Sequence, residues 1–425
     1  MPLLRLFPDT AAIDGDELTV GGLSASALAE RFGTPLLVYC EATLRGAARA
    51  YRAAAGDALV LYSVKAFPNV ALLRLFASEG LGADVSTLGE LEFAQAAGVP
   101  GKSTILHGNN KADEELRAAA EARVRFVVLD APDEVERAAA AGLREVLVRV
   151  TPGIEAETHA AIRTAHHGSK FGLSPEQALD AIARAGESGL TVAGLHLHIG
   201  SQLLDTQAAR MGVDWLGAFA ADCRTELGWE PAVLDLGGGL GIEYVENETA
   251  PAIEAFVAAL RERVLHVWSL HGLTPPELVL EPGRSLVGRA AYTLYRVGAV
   301  KRATETTTYV SIDGGMSDNP RPQLYGAAYS AVLANRAGDE PAGTFAVCGK
   351  HCESGDVLIE AAPLPQPRRG DLLAVPATGA YTLGMGSNYN AVPRPAAVLV
   401  EGGEAHLIRR RETLEDVLRY EETSG

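Results

Sequence analysis

Short apolar runs recur along residues 58–281, and polar residues stand at the C-terminal end of most of them. The runs are Ala58–Val64, Gly82–Val85, Thr104–His107, Arg125–Leu129, Glu145–Val150, Val192–Ile199, Val233–Leu236 and Leu278–Glu281. The first five begin roughly twenty residues apart, the size of a βα unit in a parallel sheet. Because all eight follow one another without a reversal of the pattern, we predict an α/β fold with a closed (β/α)8 barrel rather than an open doubly wound sheet.

Helical periodicity fills the intervals between these runs. The predicted helices include Asn69–Glu79, Leu88–Ala97 and Asp133–Ala141. A glycine follows each of them, as is common at helix C-termini. This alternation of strand and helix is the pattern that a parallel barrel requires.

The chain changes character after Glu281, where helical periodicity fades and Gly/Pro turns separate strand-like runs. These runs are Tyr292–Val300, Thr307–Ile312, Thr344–Val347, Leu372–Val375 and Ala396–Val400. Residues 1–35 contain one more strand-like piece. We therefore predict a barrel domain over residues 36–284, and a β-sandwich or β-barrel domain that combines residues 1–35 with residues 285–425.

Composition narrows the class of partners. The chain has 37 Lys and Arg against 54 Asp and Glu, a formal net charge of −17, which argues against nucleic-acid binding. Its four cysteines are too few for a disulfide scaffold and favour a reducing compartment. The N-terminus lacks the apolar core of a signal peptide, and no stretch has the length of a transmembrane helix. We expect a cytoplasmic protein with a small-molecule substrate and no nucleic-acid or membrane partner.

Lys65 lies one residue after the first apolar run, at the end of the barrel where this fold keeps its chemistry. A lysine at that position can form a Schiff base with an aldehyde cofactor. Gly237–Gly241 follows the seventh run, and consecutive glycines there could admit a phosphate to backbone N–H groups, although a tight turn explains them equally well.

Glu281 and Arg284 end the eighth run with Pro282 and Gly283 between them. A buried carboxylate is costly unless it is paired, and a pyridinium N–H is one suitable partner. Arg284 can meet a phosphate or a carboxylate. A structural Glu–Arg pair remains the simpler alternative.

Two histidines, His196 and His198, alternate along the sixth run, so we expect both side chains on one face of the strand. Such a pair suggests a metal, but barrel hydrolases place it on the first strand. Cys348 and Cys352 have no second Cys/His pair at zinc-site spacing. We predict no metal site.

Loops of the C-terminal region are also rich in functional residue types. They are Asp318–Tyr325, Gly349–Asp356, Gly379–Tyr381 and Ser387–Asn390. Each alone is more often a surface loop.

Together these segments resemble the fold type III pyridoxal-phosphate decarboxylases, the group with an alanine racemase- and ornithine decarboxylase-like fold. Within that group they are most similar to the diaminopimelate decarboxylases. The motifs that carry the resemblance are Tyr62–Ala66, Gly194–Ser201, Asp235–Gly239, Glu281–Arg284, Asn319–Tyr325, Cys352–Asp356 and Ser387–Asn390. The resemblance implies decarboxylation of meso-2,6-diaminopimelate to L-lysine and CO2, the last step of lysine biosynthesis.

The resemblance implies a set of cofactor residues. Lys65 would bind pyridoxal 5′-phosphate as a Schiff base, Glu281 would pair with the pyridine nitrogen, and His198 would stack on the ring. The other residues implied to contact the cofactor are Asp84, Ser201, Gly237, Gly238, Gly239, Gly283, Arg284 and Tyr381.

It also implies how substrate is bound. Arg284, Arg321 and Tyr325 would bind substrate carboxylates, Glu353 would bind the distal amino group, and Tyr381 would contact the substrate as well. An added Arg/Tyr pair is what a second carboxylate requires, and ornithine has no such carboxylate.

A homodimer with shared active sites follows from the same resemblance. Cys352 and Glu353 would reach into the neighbouring subunit's site, and Lys170 would pair with Asp356 across the interface. Either Cys352 or Lys65 would return the proton after CO2 leaves; the sequence leaves that choice open.

Four alternatives stay open, and the last of them is a metal-dependent barrel hydrolase, which is disfavoured because carboxylate and histidine ligands at the strand ends are too sparse. The first is a related decarboxylase that acts on a D-amino acid or another diamino acid, such as D-ornithine or D-lysine. The second is an alanine-racemase-like isomerase, which normally places arginine where Glu281 stands. The third is a catalytically silent homologue, which should lack Lys65, Cys352 or the glycine loop.

One departure from the family pattern, Thr164–Gly168, affects the details of substrate contact.

Overall fold

The computed structural model describes residues 2–152 and 169–422, so the departure at Thr164–Gly168 lies outside the described residues. The chain divides into two compact units. A β unit comprises Met1–Gly46, Ile242–Thr249 and Leu286–Gly425, and a barrel unit comprises Ala47–Gly241 and Ala250–Ser285.

Strands of the described residues are numbered in chain order. They are β1 (Ala12–Asp14), β2 (Glu17–Val20), β3 (Leu23–Ser24), β4 (Leu36–Cys40), β5 (Leu59–Ser63), β6 (Gly82–Val85), β7 (Thr104–Leu106), β8 (Phe126–Leu129), β9 (Glu145–Arg149), β10 (Thr191–His196), β11 (Val233–Asp235), β12 (Glu277–Leu280), β13 (Ala291–Arg302), β14 (Thr308–Ile312), β15 (Val332–Leu333), β16 (Gly343–Cys348), β17 (Val357–Leu364), β18 (Leu372–Pro376), β19 (Ala396–Glu401) and β20 (Glu404–Arg409).

Helices are numbered in the same way. They are α1 (Ala25–Phe32), α2 (Glu41–Ala55), α3 (Val70–Ser78), α4 (Leu88–Ala96), α5 (Asp113–Ala122), α6 (Glu134–Ala140), α7 (Pro175–Glu187), α8 (Gln207–Leu227), α9 (Ile253–His271), α10 (Arg284–Val287), α11 (Arg321–Tyr325) and α12 (Leu414–Leu418). Among the described residues, no helix combines the length and the apolarity needed to cross a membrane.

Strands β5 to β12 form a closed parallel barrel, which confirms the predicted (β/α)8 fold. The last strand closes on the first, with Val279 opposite Leu59 and Leu280 opposite Val60. Beyond this register, the Ser63 N–H donates to the Pro282 carbonyl at 3.1 Å. The closure therefore places the residues that follow β12 beside those that follow β5.

An apolar cluster within the barrel unit explains why these runs form buried strands. Its buried members are Leu61, Ile105, Phe126, Val128, Leu147, Val233 and Val279. Each such side chain contributes about 1.5–3 kcal/mol when it is fully removed from water. The polar residues of the strands are concentrated at the carboxyl ends instead, which leaves one end of the barrel for chemistry.

Helix caps fix the loops at that end. The Asn69 side chain accepts hydrogen bonds from the N–H groups of Ala71 and Leu72, so α3 begins five residues after Lys65. The Thr87 hydroxyl caps α4 in the same way, directly after β6. The three predicted barrel helices are thereby confirmed as α3, α4 and α6, each within about two residues of its predicted ends.

The β unit contains a nine-stranded sheet whose main path runs β17-β16-β14-β13-β4-β19-β20, with β18 pairing with β13 and β15. The five predicted C-terminal strands are confirmed as β13, β14, β16, β18 and β19. Leu36–Cys40 falls in the range predicted for the barrel domain, yet as β4 it pairs with β13 and β19. A separate three-stranded sheet, β1-β2-β3, precedes it.

Candidate active site

Lys65 lies in a short 3-10 turn directly after β5, beside Asp84 on the neighbouring strand β6. The Lys65 Nζ donates to Asp84 Oδ2 at 3.2 Å, and the Ser63 hydroxyl donates to the same oxygen. Burial opposes the charge of Asp84, but the positive charges of Lys65 and His107 and these hydrogen bonds outweigh it and lower the pKa of Asp84. Asp84 is therefore a buried anion that holds the amine.

Glu281 follows β12 and is paired with His107, which follows β7. The His107 Nε2 lies 2.6 Å from Glu281 Oε1 and 3.7 Å from Asp84 Oδ1. Burial disfavours the charged imidazole, but the charges of Glu281 and Asp84 outweigh it and raise the pKa of His107. His107 thus connects Asp84, which holds the Lys65 amine, with Glu281, which is predicted to bind the ring nitrogen of the cofactor.

His196 and Asp235 complete a buried polar cluster with His107 and Glu281, whose ligand atoms all lie within 4.8 Å of one another. Neither nitrogen of His196 has a hydrogen-bond partner, and burial lowers the pKa of this histidine well below its usual range. Asp235 Oδ1 accepts from the Gly237 N–H at 2.9 Å, while Oδ2 has no partner. Burial and the charge of Glu281 raise the pKa of Asp235. A cation could also be enclosed here, so the absence of a metal stays a prediction.

His198 is not on the sixth barrel strand, because β10 ends at His196. The prediction that His196 and His198 lie on one face of the same strand therefore does not apply to His198. In the loop after β10, the His198 Nδ1 accepts from the Gly238 N–H at 3.4 Å. Burial and the charge of Lys65 lower the pKa of His198, so its ring is neutral. A neutral ring can stack on an aromatic cofactor without placing a second cation beside Lys65.

The glycine loop after β11 is packed too closely for any other residue. A Cβ on Gly238 would lie 2.4 Å from the carbonyl oxygen of Glu281, and one on Gly237 would lie 2.7 Å from the His198 ring. Gly237 and Gly239 also have positive φ, at 63° and 111°. These contacts require glycine in this loop and hold its backbone close to Glu281 and His198 at the end of β11.

Ser201 and Arg284 form a second polar group on the barrel unit, where the Arg284 guanidinium donates to Ser201 Oγ at 2.9 Å. Ser201 is exposed, and the next residue, Gln202, has φ of 61°, an uncommon conformation for a side chain of this kind. Gly283 is buried between Glu281 and Arg284. A hydroxyl and a guanidinium beside a glycine loop are suited to a phosphate.

These residues fit pyridoxal 5′-phosphate. The lysine amine, the buried carboxylate of Glu281 and the Ser201–Arg284 pair match its aldehyde, its ring nitrogen and its phosphate. His196 and Asp235 also have buried polar atoms without hydrogen-bond partners at this end of the barrel.

The β unit contains the predicted carboxylate ligand Arg321, at the start of α11. Its guanidinium lies 4.3 Å from the centre of the Tyr244 ring and donates to the Tyr329 hydroxyl. The side chain is buried, and its Nε has no hydrogen-bond partner. Tyr325, at the other end of α11, is 64% exposed.

Cys352 and Glu353 lie in an exposed loop between β16 and β17 that is held at both sides. The Cys352 N–H donates to Asn390 Oδ1 at 2.8 Å, and Asn390 adopts φ of 53°. On the other side, Asp356 accepts from the N–H groups of His351 and Met316, and its Oδ2 lies 2.7 Å from His351 Nδ1. The anchors leave the thiol and the Glu353 carboxylate at the surface.

Asp356 therefore has different partners from the one expected. It is 2% exposed and its carboxylate is already bound by backbone N–H groups and His351, which gives it a structural role within the loop. Lys170 is exposed on the barrel unit, with its Nζ 4.8 Å from the Phe171 ring. Tyr381 has φ of 58°, and strained backbone of this kind is often found at functional sites.

Comparisons with known proteins place these residues in a family. Residues 41–288 match the pyridoxal-binding domain of the pyridoxal-dependent decarboxylases. Diaminopimelate decarboxylase of Actinosynnema pretiosum subsp. auranticum is 44% identical over 98% of this chain and 95% of its own length, and that of Bacillus subtilis is 43% identical over 95% of each. The crystal structure of diaminopimelate decarboxylase from M. jannaschii in complex with L-lysine has a TM-score of 0.91, with 34% identity and 98% of both chains covered.

The chain belongs to the diaminopimelate decarboxylase family. It is a pyridoxal-phosphate-dependent decarboxylase, and the predicted family, enzyme class and cofactor are confirmed.

Within this family member, three residues of the buried cluster were absent from the predicted site: His107, His196 and Asp235. In the structure each lies at or directly after the carboxyl end of a barrel strand, whereas the sixth run was predicted to continue past His196 to Ile199. Sequence alone does not show that strands β7, β10, β11 and β12 bring His107, His196, Asp235 and Glu281 together.

Proposed function

We propose that this protein decarboxylates meso-2,6-diaminopimelate to L-lysine and CO2, the last step of lysine biosynthesis. The observation that carries the proposal is the arrangement at the carboxyl ends of β5, β6 and β12. There a lysine amine is held by the buried anion Asp84, and a buried carboxylate, Glu281, lies on the neighbouring strand end. The chain's family uses such a lysine and carboxylate with pyridoxal 5′-phosphate.

Eight positions are proposed to hold the cofactor. Lys65 would bind its aldehyde, Glu281 its ring nitrogen, and the ring of His198 its face. The phosphate would lie against Ser201, Arg284 and the N–H groups of Gly237–Gly239. Asp84, Gly283 and Tyr381 are included in the proposal as further cofactor contacts.

When bound, the cofactor supplies a protonated aromatic ring that accepts the electron pair left behind by CO2. The residues of the chain control that ring. Glu281 keeps the proton on the ring nitrogen by accepting its hydrogen bond. Asp84 holds the Lys65 amine in place, and either Lys65 or Cys352 carries the proton that replaces the carboxylate.

Substrate choice is assigned to the β unit. A guanidinium that is buried between two tyrosine rings and has an unpartnered Nε would favour a substrate carboxylate as its partner. Tyr325 and Tyr381 would support it, and Glu353 would bind the distal amine. A diamine that lacks the second carboxylate would leave Arg321 without that partner, so discrimination against it should be large.

The active form is proposed to be a homodimer that shares its active sites. Cys352 and Glu353 are exposed at the tip of an anchored loop, which suits residues that act on another subunit. A Lys170–Asp356 pair at the interface stays a prediction with less support, because Asp356 is buried within its own loop. A cytoplasmic location stays part of the proposal and rests on the cysteine content.

The substrate assignment is tested by comparing CO2 release from meso-diaminopimelate, D-lysine and D-ornithine with the purified protein and its Arg321→Leu variant. We expect the wild type to prefer meso-diaminopimelate strongly, and the variant to lose most of that preference through a raised KM. Release from D-ornithine or D-lysine that equals or exceeds release from meso-diaminopimelate would replace the proposal by the D-amino acid alternative.

A further inference from the structure

His107 has no role in the function proposed above, yet it contacts two of its residues. It immediately follows β7, and its ring is buried. Its Nε2 is 2.6 Å from Glu281 Oε1, a short distance for a histidine–carboxylate pair, and 3.7 Å from Asp84 Oδ1. The three residues come from three different strand ends, so His107 bridges groups that the chain separates widely.

The orientation of this ring is fixed by contacts other than the pair itself. The backbone N–H of His107 donates to the Val85 carbonyl at 2.7 Å, which fixes the main chain that carries the ring and continues the register of β7 along β6. The ring meets His196 edge-on, with centroids 4.8 Å apart and planes at 66°. A ring held in this way presents Nε2 to Glu281 in one geometry.

Charges around the ring favour its protonated form. The carboxylates of Glu281 and Asp84 face it from the ends of β12 and β6, and the carboxyl group of Asp235, whose pKa is raised by burial and by the charge of Glu281, lies at the end of β11. Lys65, Glu90 and the neutral His196 are among the other titratable groups nearby. The charges of the two anions outweigh the cost of burying the imidazole, so His107 donates to Glu281 and leaves Oε2 of that carboxylate for another donor.

We propose that His107 is a positioning residue that holds the Glu281 carboxylate in its orientation toward the cofactor's ring nitrogen. The inference rests on the proposed role of Glu281. In this proposal His107 helps to determine how tightly the protein binds the ring nitrogen of the cofactor. The same residue connects Glu281 with the Asp84–Lys65 pair.

The test compares binding of two cofactors to the apoprotein: pyridoxal 5′-phosphate, and its 1-deaza analogue, in which C–H replaces the ring nitrogen. Dissociation constants are measured for wild type, His107→Phe, His107→Gln, Glu281→Gln and the double variant His107→Phe/Glu281→Gln. Phenylalanine keeps the ring but removes the donor, whereas glutamine can return an amide N–H near the position of Nε2.

The wild type should prefer the natural cofactor over the deaza analogue. In His107→Phe we expect the natural cofactor to bind about 10- to 100-fold more weakly, the range typical of removing a group that orients a ligand-binding residue. Binding of the deaza analogue should change little, and His107→Gln should recover most of the loss. The double variant should lose no more preference than Glu281→Gln alone.

Equal weakening of both cofactors in His107→Phe would overturn the inference, because a purely structural role acts on both alike. The inference would also be overturned if His107→Phe kept the preference for pyridoxal 5′-phosphate over its 1-deaza analogue while Glu281→Gln lost it. That result would leave the role of Glu281 intact. An unchanged preference in Glu281→Gln would refute the role of Glu281 itself.

Thr104→Val is the matched control. Thr104 is equally buried at the other end of β7, and its hydroxyl donates only to the Pro100 carbonyl. This variant should lower the melting temperature modestly and leave the preference between the two cofactors unchanged.

Discussion

At the scale of single residues, the surroundings of two buried carboxyl groups at the end of the barrel, Asp84 and Asp235, shift their pKa values in opposite directions. Asp84 has a lysine, a histidine and a hydroxyl as partners, which lower its pKa. Asp235 has only one backbone N–H and lies near Glu281, and its pKa is raised. Two carboxyl groups whose pKa values move in opposite directions are a common mark of a catalytic centre.

Asp235→Asn should make the protein more stable than wild type as the pH rises. An unfolded aspartate loses its proton near pH 4, whereas the folded Asp235 keeps it to higher pH. The stability that Asp235 contributes is therefore complete below about pH 4 and is lost as the pH rises through the raised folded pKa. Asparagine keeps the acceptor for the Gly237 N–H and does not titrate.

The measurement is the unfolding free energy of both apoproteins between pH 5 and 9. The difference in favour of the variant should grow by up to about 1.4 kcal/mol per pH unit and then level off. A difference that does not change with pH would show that Asp235 is already ionised throughout this range.

At the scale of structural elements, loops at the carboxyl ends of the barrel strands are fixed by buried polar contacts. Lys111, in the loop after β7, lies 2.9 Å from Glu134 at the start of α6, and both side chains are 1% exposed. The Glu134 carboxylate also accepts from the Asp130 N–H, and Asp130 pairs with Arg149 at 3.2 Å. This network connects the loops after β7 and β8 with the carboxyl end of β9.

Lys111→Met should destabilise the protein by about 3–5 kcal/mol, because it leaves Glu134 as a buried charge without its cation. Chemical denaturation measures the loss. Arg184→Met removes a cation from a comparable pair with Glu136, but that pair is exposed, so we expect no measurable change there. A loss below about 1 kcal/mol in Lys111→Met would mean that Glu134 takes up a proton or rearranges at little cost.

Gly238→Ala tests the glycine loop. Its Cβ would lie 2.4 Å from the Glu281 carbonyl oxygen, a backbone atom that cannot move aside cheaply. We expect affinity for pyridoxal 5′-phosphate to fall at least tenfold on an order-of-magnitude basis, since the loop must shift by a large part of an ångström. Gly186→Ala, in α7 with open space around it, should instead stabilise its helix slightly. Unchanged affinity in Gly238→Ala would refute a cofactor role for this loop.

At the scale of the whole molecule, the barrel could be predicted because each of its strands is a buried apolar run. The edge strands of the β unit could not be predicted in this way. β17 and β20 end the path of the large sheet, and their residues alternate irregularly between buried and exposed positions, so no regular alternation of apolar and polar residues marks them. β4 is fully buried and resembles a barrel strand locally, and a local pattern cannot show which sheet a strand will join.

The same limit applies to the active site. Lys65 and Glu281 could be selected because they follow strands. His107 could not be connected with Glu281, because 174 residues separate the two and only barrel closure brings them to 2.6 Å.

Subunit sharing gives a prediction for the assembled enzyme. If Cys352 is the residue that returns the proton, Lys65→Ala and Cys352→Ala should each be nearly inactive alone. When the two are unfolded together and refolded, random pairing into dimers should restore roughly a quarter of wild-type activity, because half of the dimers would contain one intact site of two. No recovery, with mixed dimers demonstrated by mass spectrometry, would show that each site uses residues of one chain only.

The most direct test of the proposed reaction is the stoichiometry of CO2 and L-lysine formed from meso-diaminopimelate by the purified protein loaded with pyridoxal 5′-phosphate. We predict one CO2 and one L-lysine for each substrate consumed, and no reaction with Lys65→Ala. Failure of the wild type to release CO2 while it binds the cofactor, or equal release by Lys65→Ala, would contradict the account.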